Sequence, residues 1–405
     1  MSGAEILGGP APQTPRDISG QKTLQPGEAE IVEAVRSGAG PMRIRGGGTR
    51  DVGRPVSGEV LSTAGTSGIR LYEPGALTLV AGAGTPLPEV EAALAAEGQR
   101  LAFEPPDWRA LLGTDGTPTI GGVVATNASG PRRVSFIGAC RDAALGVRIV
   151  DGQGRVIRNG GRVMKNVTGY DLVRLFCGSW GTLGVLTEVA LKVLPAPETE
   201  ATLILPDVTP AEAATTMAAA LGSPFEVSGA AFGPLGAAGQ GTALRLEGFA
   251  DQVAYRTRAL TDRLGREAQV LGHEASAELW RAVRDVTAFT GDAVVVRVSI
   301  RPSRLPALAE AVAAHGAPRI LADWGGGLAW LALPEAEVEQ GDALLAAARD
   351  FVATHGGHAT LWKAPAALRA LVPVFQPEPG PVAALSAGLR AQFDPKGFFN
   401  PGLMT

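Results

Sequence analysis

The sequence predicts an α+β protein of two or three domains, and three observations support this class. The chain has 405 residues, and a domain has roughly 150. Apolar residues make up 45% of it, which is enough for packed cores, although 54 glycines and 30 prolines imply many turns. Segments with apolar residues at helical spacing alternate with short strand-like runs along the chain.

Charge and cysteine content exclude several classes of protein. The chain has 36 basic and 40 acidic residues, a net charge of −4, and lacks the basic stripe typical of nucleic-acid binding. Its two cysteines, Cys140 and Cys177, are too few for a disulfide framework and are typical of a reducing compartment. There is no signal-peptide pattern and no apolar run approaching about 18 residues, so we expect a cytoplasmic protein without a membrane span.

The first predicted domain covers residues 25–197 and follows a Gly- and Pro-rich arm, residues 1–24, which we expect to be flexible. Pro26 opens a helix that Gly38 ends, and a strand then runs directly into three glycines. The other predicted elements are strands at 78–83, 144–150, 156–158 and 184–195 and a helix at 87–97. Asp151 and Gly152 form a hairpin signal between two of these strands.

A second domain is predicted for residues 198–380, after a Pro-rich step that ends at Pro197. Its elements follow the order β-α-β-β-α-β twice, which predicts two ferredoxin-like units and a mainly antiparallel sheet. Residues 381–405 form a C-terminal segment with a short helix. The predicted helices are 210–221, 250–264, 275–287, 306–314 and 335–354, and the strands are 201–206, 225–232, 242–249, 268–271, 293–301, 318–324, 327–334 and 358–364.

Three glycine-rich segments in the first half are candidate ligand sites. The first glycine loop, residues 45–49, follows a strand, and consecutive amides in such a turn can bind an anion. The second glycine loop, residues 116–130, mixes short polar and small apolar side chains, which suits a flat ring or a phosphate. The third glycine segment, residues 178–188, leads into a strand. Turns without a ligand remain the alternative, and no segment has the dinucleotide or Walker spacing of glycines.

Four sequence motifs make these loops more specific. They are RIRGGGTR, TIGGVVATNASGP, RVMKNVTGYDLVRLFCGSWGTLGVLTEVALKVLP and FDPKGFFNPG, in this order. Together they resemble the FAD-binding family of the vanillyl-alcohol oxidase and p-cresol methylhydroxylase type, over residues 25–200 and 385–405. Within that family the likeness is strongest to the FAD-binding subunits of bacterial glycolate oxidase (glycolate dehydrogenase).

This resemblance implies a two-part FAD-binding domain of the p-cresol methylhydroxylase type, with two α+β subdomains, and an α+β cap domain. It implies that the first glycine loop holds the FAD pyrophosphate, the second lies along the diphosphate and flavin, and the third lies near the adenosine. It also implies that the C-terminal segment returns toward the flavin ring. The implied cofactor-binding residues are Arg45, Gly46, Gly47, Gly48, Thr49, Thr119, Gly121, Gly122, Ala125, Asn127, Gly130, Gly181, Thr182, Gly184, Val185 and Asn400.

The sequence departs from the family pattern at two positions. Many relatives have a histidine where Thr49 stands and attach the flavin to it covalently, so the resemblance here implies non-covalent FAD. Trp180 stands where relatives have an acidic or tyrosyl residue.

The catalytic residues stay unassigned at this stage. The chain lacks the His-rich metal motif of related 2-hydroxy-acid dehydrogenases, and His355 and His358 are interpreted as a helix end and a turn rather than a metal site. Arg297, Arg301 and Lys363 lie on predicted cap strands, where a solvated strand face is the favoured interpretation over a position facing the flavin. Trp324 and Trp362 are interpreted as packing residues.

Three hypotheses follow. The first is an FAD-binding subunit of a glycolate oxidase complex, with a second FAD-containing catalytic subunit and an iron–sulfur subunit as partners and possible peripheral attachment to the inner membrane. The second is a self-sufficient FAD oxidoreductase of another 2-hydroxy acid or alcohol. The third is a scaffold that keeps the fold without the cofactor. Under either flavin hypothesis, Gly47→Asp places a carboxylate against the pyrophosphate and lowers flavin retention.

Overall fold

The computed structural model describes residues 24–135, 138–161, 169–206 and 209–404. The flexible arm predicted for residues 1–24 lies outside the described residues except for Leu24. Three sheets organise the described chain: a two-stranded sheet, a six-stranded sheet and an eight-stranded sheet. None of the helices in these ranges has the length and apolar character that crossing a bilayer requires.

The N-terminal part, residues 24–195, contains the two smaller sheets. Strands β1 and β2 pair in parallel, and the larger sheet has the antiparallel order β3-β4-β8-β6-β7, with β5 also pairing with β8. The elements are α1 (Glu28–Ser37), β1 (Met42–Arg45), β2 (Glu59–Ser62), β3 (Ile69–Glu73), β4 (Thr78–Gly82), α2 (Leu87–Ala96), β5 (Gln99–Leu101), α3 (Arg109–Leu112), α4 (Ile120–Ala125), α5 (Cys140–Ala143), β6 (Ala144–Val150), β7 (Val156–Gly160), α6 (Leu172–Phe176) and β8 (Val185–Pro195).

The predicted hairpin at Asp151-Gly152 is confirmed between β6 and β7. The buried carboxylate of Asp151 accepts hydrogen bonds from the amides of Gln153 at 3.0 Å and Arg155 at 2.9 Å. Because an aspartate side chain satisfies turn amides in this way, the sequence is well suited to reverse the chain here.

The second part of the chain forms the eight-stranded sheet, and its segment from β9 to α12 is called the cap below. The elements are β9 (Thr199–Pro206), α7 (Pro210–Leu221), β10 (Gly229–Pro234), β11 (Gln240–Gly248), α8 (Ala250–Leu264), β12 (Gln269–Leu271), α9 (His273–Asp285), β13 (Val294–Ser299), α10 (Leu305–Val312), β14 (Arg319–Asp323), β15 (Leu328–Leu333), α11 (Gly341–His355), β16 (His358–Lys363), α12 (Ala366–Leu371) and α13 (Gly380–Phe393).

The strand order of the cap confirms the predicted duplication. The sheet runs β12-β9-β11-β10-β14-β15-β13-β16. In each half the first and third strands are central and the second and fourth are outer, as in a ferredoxin-like unit. The two units meet through their second strands, where Phe232 of β10 pairs with Ala322 of β14. The outcome is one continuous antiparallel sheet with two equivalent halves.

Two predicted elements differ from the structure. The helix predicted for 335–354 is a 3-10 segment at Glu335–Gln340 followed by α11, and Glu337 has a non-helical φ of −119°. Neighbouring acidic side chains at the start and Gly341 within the predicted span disfavour one continuous helix. The strand predicted for 225–232 starts only at Gly229, since Glu226 adopts a φ of 52°.

The N-terminal part and the cap pack against each other over a shared apolar core. One cluster of buried side chains extends from Leu79 and Val189 in the first part to Val296 and Leu331 in the cap. Strand β8 ends at Pro195 and β9 starts at Thr199, on either side of the predicted boundary at 197. The division into domains at 197 and 380 stays a prediction.

Candidate cofactor-binding site

A cavity of about 520 Å³ lies where the three glycine-rich segments and the C-terminal segment meet. This volume lies within the range of small-molecule and cofactor sites. Most of the predicted cofactor-binding residues line it, namely Arg45, Gly46, Gly47, Gly48, Thr49, Thr119, Gly121, Gly122, Ala125, Gly181, Gly184 and Asn400. The structure therefore brings together residues that are far apart in the sequence.

The first glycine loop has backbone amides beside this cavity that lack a protein acceptor among the described residues. It leaves β1 at Arg45, and within the described residues the amides of residues 46–50 donate no hydrogen bond to the protein. Successive unpaired amides of this kind form an anion site, because each can donate to an oxygen of a phosphate group. The loop thus has the donors that a diphosphate requires.

The glycines of the first loop are required because it lies directly on the second loop. A Cβ atom at Gly47 would lie 1.6 Å from the carbonyl oxygen of Thr117, and one at Gly46 would lie 2.5 Å from the hydroxyl of Thr119. Gly48 adopts a φ of 69°, which favours glycine. For Gly47→Asp the structure adds a steric effect to the predicted charge effect, because any side chain there meets the backbone of Thr117 and the two loops must separate.

The second loop supplies the start of helix α4. The Thr119 hydroxyl caps this helix by accepting from the amide of Gly122 at 3.3 Å. A Cβ atom at Gly121 would lie 2.6 Å from the Cβ of Ala83, so glycine lets the helix lie on the end of β4. These contacts place Gly121, Gly122 and Ala125 along the cavity wall.

The C-terminal segment is fixed to the site by Asn400. Its Oδ1 accepts from the amide of Ile44 at 2.9 Å, and its Nδ2 donates to the carbonyl of Trp180 at 2.8 Å. A Cβ atom at Gly181 would lie 2.9 Å from the same Nδ2. Asn400 therefore holds β1 and the third glycine segment together at the edge of the cavity.

The remaining predicted residues, Asn127, Gly130, Thr182 and Val185, do not line the cavity. Asn127 Oδ1 accepts from the amide of Arg141, the Gly130 carbonyl accepts from the indole of Trp324, and the Thr182 hydroxyl donates to the carbonyl of Ser179. Val185 belongs to the core. Their contact with FAD stays a prediction, while their visible contacts are within the protein.

Sequence reasoning missed most of the charged side chains of the site. Arg43, Arg50, Arg54 and Arg369 line the cavity together with Arg45, and Asp51 is the one acidic side chain among the described lining residues. This excess of positive charge suits a dianionic diphosphate. The arginines that follow the first glycine loop could have been predicted as site residues from their position in the sequence. Arg369 lies in the cap, and no sequence pattern connects it with the site.

Several of these arginines retain unused hydrogen-bond donors. The Nε atoms of Arg50, Arg54 and Arg369 are buried without a partner among the described residues. Burial lowers the pKa of Arg50 to about 10, although Asp107 and Cys140 oppose this shift. Buried polar atoms normally have partners, so these arginines are held beside the cavity with part of their hydrogen-bonding capacity unused within the described residues.

A cluster of aromatic rings continues the cavity wall toward the cap. The tryptophan cluster consists of Trp108, Trp180, Trp330, Trp362 and Phe375. Trp180 lines the cavity, and its ring lies 5.2 Å from that of Phe375. The Trp108 and Trp362 rings are 4.7 Å apart, and Trp330 lies 5.5 Å from Trp362. The cluster joins the N-terminal part to the cap, and it confirms Trp362 as a packing residue.

The favoured interpretation of Arg297 as a solvated strand residue is wrong. Its guanidinium lies 5.2 to 5.6 Å from the rings of Trp324, Trp330 and Trp362, and its Nε is buried without a partner among the described residues. Burial lowers the pKa of Arg297 to about 10, and the nearby charge of Arg133 acts in the same direction. The tryptophan faces stabilise this cation.

The other cap candidates have ordinary structural positions. Arg301 is exposed, and Lys363 Nζ donates to the carbonyl of Thr290 at 2.9 Å. His355 ends α11 and His358 begins β16, which confirms the interpretation as a helix end and a turn. Trp324 packs between the two parts of the chain, since its indole donates to the carbonyl of Gly130 at 3.0 Å.

A buried network of charges also joins the N-terminal part to the cap. The interface ion network consists of Arg100, Glu104 and Arg132 from the first part and Arg245 and Glu247 from the cap. Arg245 Nη1 lies 3.0 Å from Glu104 Oε1, and Arg132 Nη2 lies 2.8 Å from Glu247 Oε1. Burial alone would raise the pKa of Glu247, but Arg245, Arg132 and Arg100 hold it well below its ordinary value.

Comparison with known proteins first defines the class of protein to which this chain belongs. The FAD binding domain family matches residues 27–160, which include the first two glycine loops. The structure of 4-ethylphenol oxidase from Gulosibacter chungangensis superposes with a TM-score of 0.67 at 15% identity, covering 93% of this chain and 86% of that one. The chain therefore has the fold of FAD-binding flavoenzymes of the p-cresol methylhydroxylase type, and the group that suits its cavity is FAD.

Sequence similarity narrows this class to one family. The chain is 35% identical over 378 residues to the glycolate oxidase subunit GlcE of Escherichia coli K12, covering 93% of this chain and 95% of that subunit. The chain belongs to the family of this subunit. It is also 44% identical over 102 residues to the glycolate oxidase subunit GlcD of Bacillus subtilis, covering 25% of this chain and 21% of GlcD.

Proposed function

We propose that this chain is the FAD-carrying subunit of a cytoplasmic glycolate oxidase (dehydrogenase) complex that converts glycolate to glyoxylate. In this proposal a second flavoprotein subunit holds the catalytic site, and an iron–sulfur subunit carries the electrons onward. Similarity to GlcE over nearly the whole chain supports the assignment. When bound, FAD supplies the electron-acceptor chemistry, and this chain's loops and arginines bind and orient it.

The composition of the cavity wall is the observation that carries the subunit role. Oxidation of a 2-hydroxy acid releases the hydroxyl proton, so a catalytic site needs a base within hydrogen-bonding reach of the substrate. Among the described lining residues, Asp51 alone has a carboxylate, and none has an imidazole. The Asp51 carboxylate forms an ion pair with Arg369 at 3.1 Å. Toward the cap the wall continues into the tryptophan cluster. This supports a subunit that depends on a partner for the proton-transfer step.

We also propose that the flavin is bound without a covalent link. Thr49 occupies the position in the first glycine loop where the family resemblance places the linking histidine, and it is buried beside the cavity. A threonine hydroxyl is a much weaker nucleophile than an imidazole at neutral pH. The free amides and arginines of the site are then sufficient to retain FAD.

Purification of the chain alone and with its partner subunits tests the proposal. The isolated chain should be yellow, release its FAD into solution on acid precipitation, and fail to reduce a dye acceptor with glycolate. Adding the partner subunits should restore glycolate-dependent dye reduction. Rapid turnover of glycolate by the isolated chain would contradict the subunit role, and a yellow acid pellet would contradict non-covalent binding.

A second candidate function, a self-sufficient oxidoreductase of another 2-hydroxy acid, is favoured by Arg297. This guanidinium lies among the rings of Trp324, Trp330 and Trp362 and has no carboxylate partner among the described residues, so it has the charge to hold a substrate carboxylate. Bleaching of the flavin absorbance in the lone chain by any member of a 2-hydroxy-acid panel would support this function. Arg297→Met should then abolish bleaching, and Arg301→Met, an exposed neighbour, should not.

A further inference from the structure

One arginine of the cap reaches the cofactor cavity of the N-terminal part. Arg369 lies on α12, and its Nη1 donates to the carbonyls of Asp51 at 3.0 Å and Gly53 at 3.4 Å. Its Nη2 donates to the Asp51 carboxylate at 3.1 Å. Asp51 and Gly53 directly follow the free amides of residues 46–50, so Arg369 fixes the end of the loop that presents those amides.

The charge of Asp51 makes this contact important for an anionic ligand. Asp51 is the one acidic side chain among the described residues that line the cavity, and its side chain is 67% exposed, whereas that of Arg369 is 14% exposed. An unpaired carboxylate beside a diphosphate would repel it. The Arg369 guanidinium cancels this charge, while its buried Nε has no partner among the described residues.

The segment that carries Arg369 is anchored at a second place beside the cavity. Arg349 of α11 donates through Nη2 to the carbonyls of Pro373 at 2.6 Å and Phe375 at 3.0 Å. The Phe375 ring in turn packs against Trp180, which lines the cavity. Segment 366–375 therefore contacts the residues that directly follow the first glycine loop through Arg369 and the third glycine segment through Phe375.

We propose that Arg369 is a positioning residue for the FAD diphosphate: acting through Asp51, it keeps the first glycine loop in its binding conformation and removes the repulsive charge. Retention of FAD then depends on the cap as well as on residues 27–160 that match the FAD binding domain family. The proposal rests on FAD binding and goes beyond the subunit function, since it assigns a cofactor-retaining role to the cap.

A mutant cycle on the full-length chain tests this proposal, with FAD dissociation measured from the recovery of free-flavin fluorescence. R369A should weaken FAD binding about tenfold, because Asp51 is left unpaired beside the diphosphate. The double variant D51N/R369A should regain most of that loss. R304A, which removes an exposed cap arginine that has no side-chain partner in the described parts of the chain, should bind FAD as the unsubstituted chain does.

The same measurements of FAD dissociation can contradict the role proposed for Arg369. FAD binding by R369A within twofold of the unsubstituted chain would overturn the proposal, as would a double variant no better than R369A. If R369A does not fold, the same results are expected of R369Q, which removes the charge and keeps a hydrogen-bond donor. The double variant is then D51N/R369Q. Melting curves of the FAD-free variants separate lost binding from lost folding. Failure of the unsubstituted chain to bind FAD would instead refute the proposed function.

Discussion

At the scale of single residues, the cofactor site depends on how closely two loops approach each other. Gly47 touches the backbone of the second loop, and Gly116 of that loop would in turn place a Cβ atom 1.6 Å from the Gly47 carbonyl. Neither position has room for a side chain. Since the amides of residues 46–50, which have no protein acceptor among the described residues, belong to the same loop, its conformation and the diphosphate binding predicted for it should be coupled.

Gly47→Ala should therefore greatly reduce FAD retention. The added methyl group meets the Thr117 carbonyl, and the loop must move away from the second loop, which misaligns the amides. The ratio of flavin to protein absorbance after purification measures the effect. Gly40→Ala is the matched control, because a Cβ atom at Gly40 meets nothing within 4 Å, and it should keep a full complement of flavin.

The sequence predicted the glycine and short polar residues of the site better than its charged residues. Glycine runs and their family resemblance identified the loops that line the cavity. Asn127 and Gly130 lie in the same motif but outside the cavity lining, and their contact with FAD stays a prediction, because a motif does not show which way each residue faces. Arg369 is far from the motifs in sequence and approaches the loop only through tertiary packing.

At the scale of secondary-structure elements, local signals determined most of the boundaries. Helix α7 starts at Pro210 as predicted, because Thr209 and Glu212 form a capping box: the Thr209 hydroxyl accepts from the Glu212 amide, and the Glu212 carboxylate accepts from the Thr209 amide. The strand predicted for 225–232 starts late because Glu226 adopts a positive φ. Residue patterns in the sequence do not reveal such a backbone conformation.

Thr209→Ala should destabilise the cap by about 1 kcal/mol, the usual cost of losing an N-cap side chain. The free energy of unfolding from denaturant titration measures this change. Thr215→Ala is the control in the same helix: its exposed hydroxyl donates to the carbonyl of Ala211 within the helix, so its loss should change stability by less than about 0.5 kcal/mol. Equal effects of the two substitutions would contradict the capping role.

At the scale of the whole molecule, the interface ion network and the tryptophan cluster hold the cap on the N-terminal part. The duplicated unit was predictable from element order, since each series repeats the same sequence of strands and helices. The contacts between the cap and the N-terminal part were not predictable from the sequence. Glu104 and Arg245, for example, are far apart in the sequence, and neither belongs to a recognisable pattern.

Glu247→Gln should destabilise the protein by about 3 kcal/mol at pH 7, because Arg100, Arg132 and Arg245 all pair with this buried carboxylate and the network then has an excess of buried positive charge. Glu226→Gln is the control: Glu226 also pairs with an arginine, Arg256, but its side chain is 83% exposed, so the loss should stay below about 1 kcal/mol. Denaturant unfolding of both variants gives the comparison, and similar losses would contradict the structural role of the network.

The pH dependence of stability provides a second test of the network. The pKa of Glu247 in the folded protein lies well below its ordinary value, so its contribution is present above the unfolded pKa and is lost as pH falls through the folded pKa. On acidification below about pH 4.5, the ordinary carboxyl range, the unsubstituted protein should lose more stability than Glu247→Gln. Parallel pH profiles for the two proteins would contradict this assignment.

The central claim is that the amides of residues 46–50 bind the diphosphate of FAD. Amide hydrogen exchange measured by mass spectrometry, on a peptide that covers these residues with and without FAD, tests this most directly. We expect FAD to slow exchange there by at least about tenfold, because each amide gains a phosphate oxygen as acceptor. A chain that retains FAD while these amides exchange at an unchanged rate would contradict the claim.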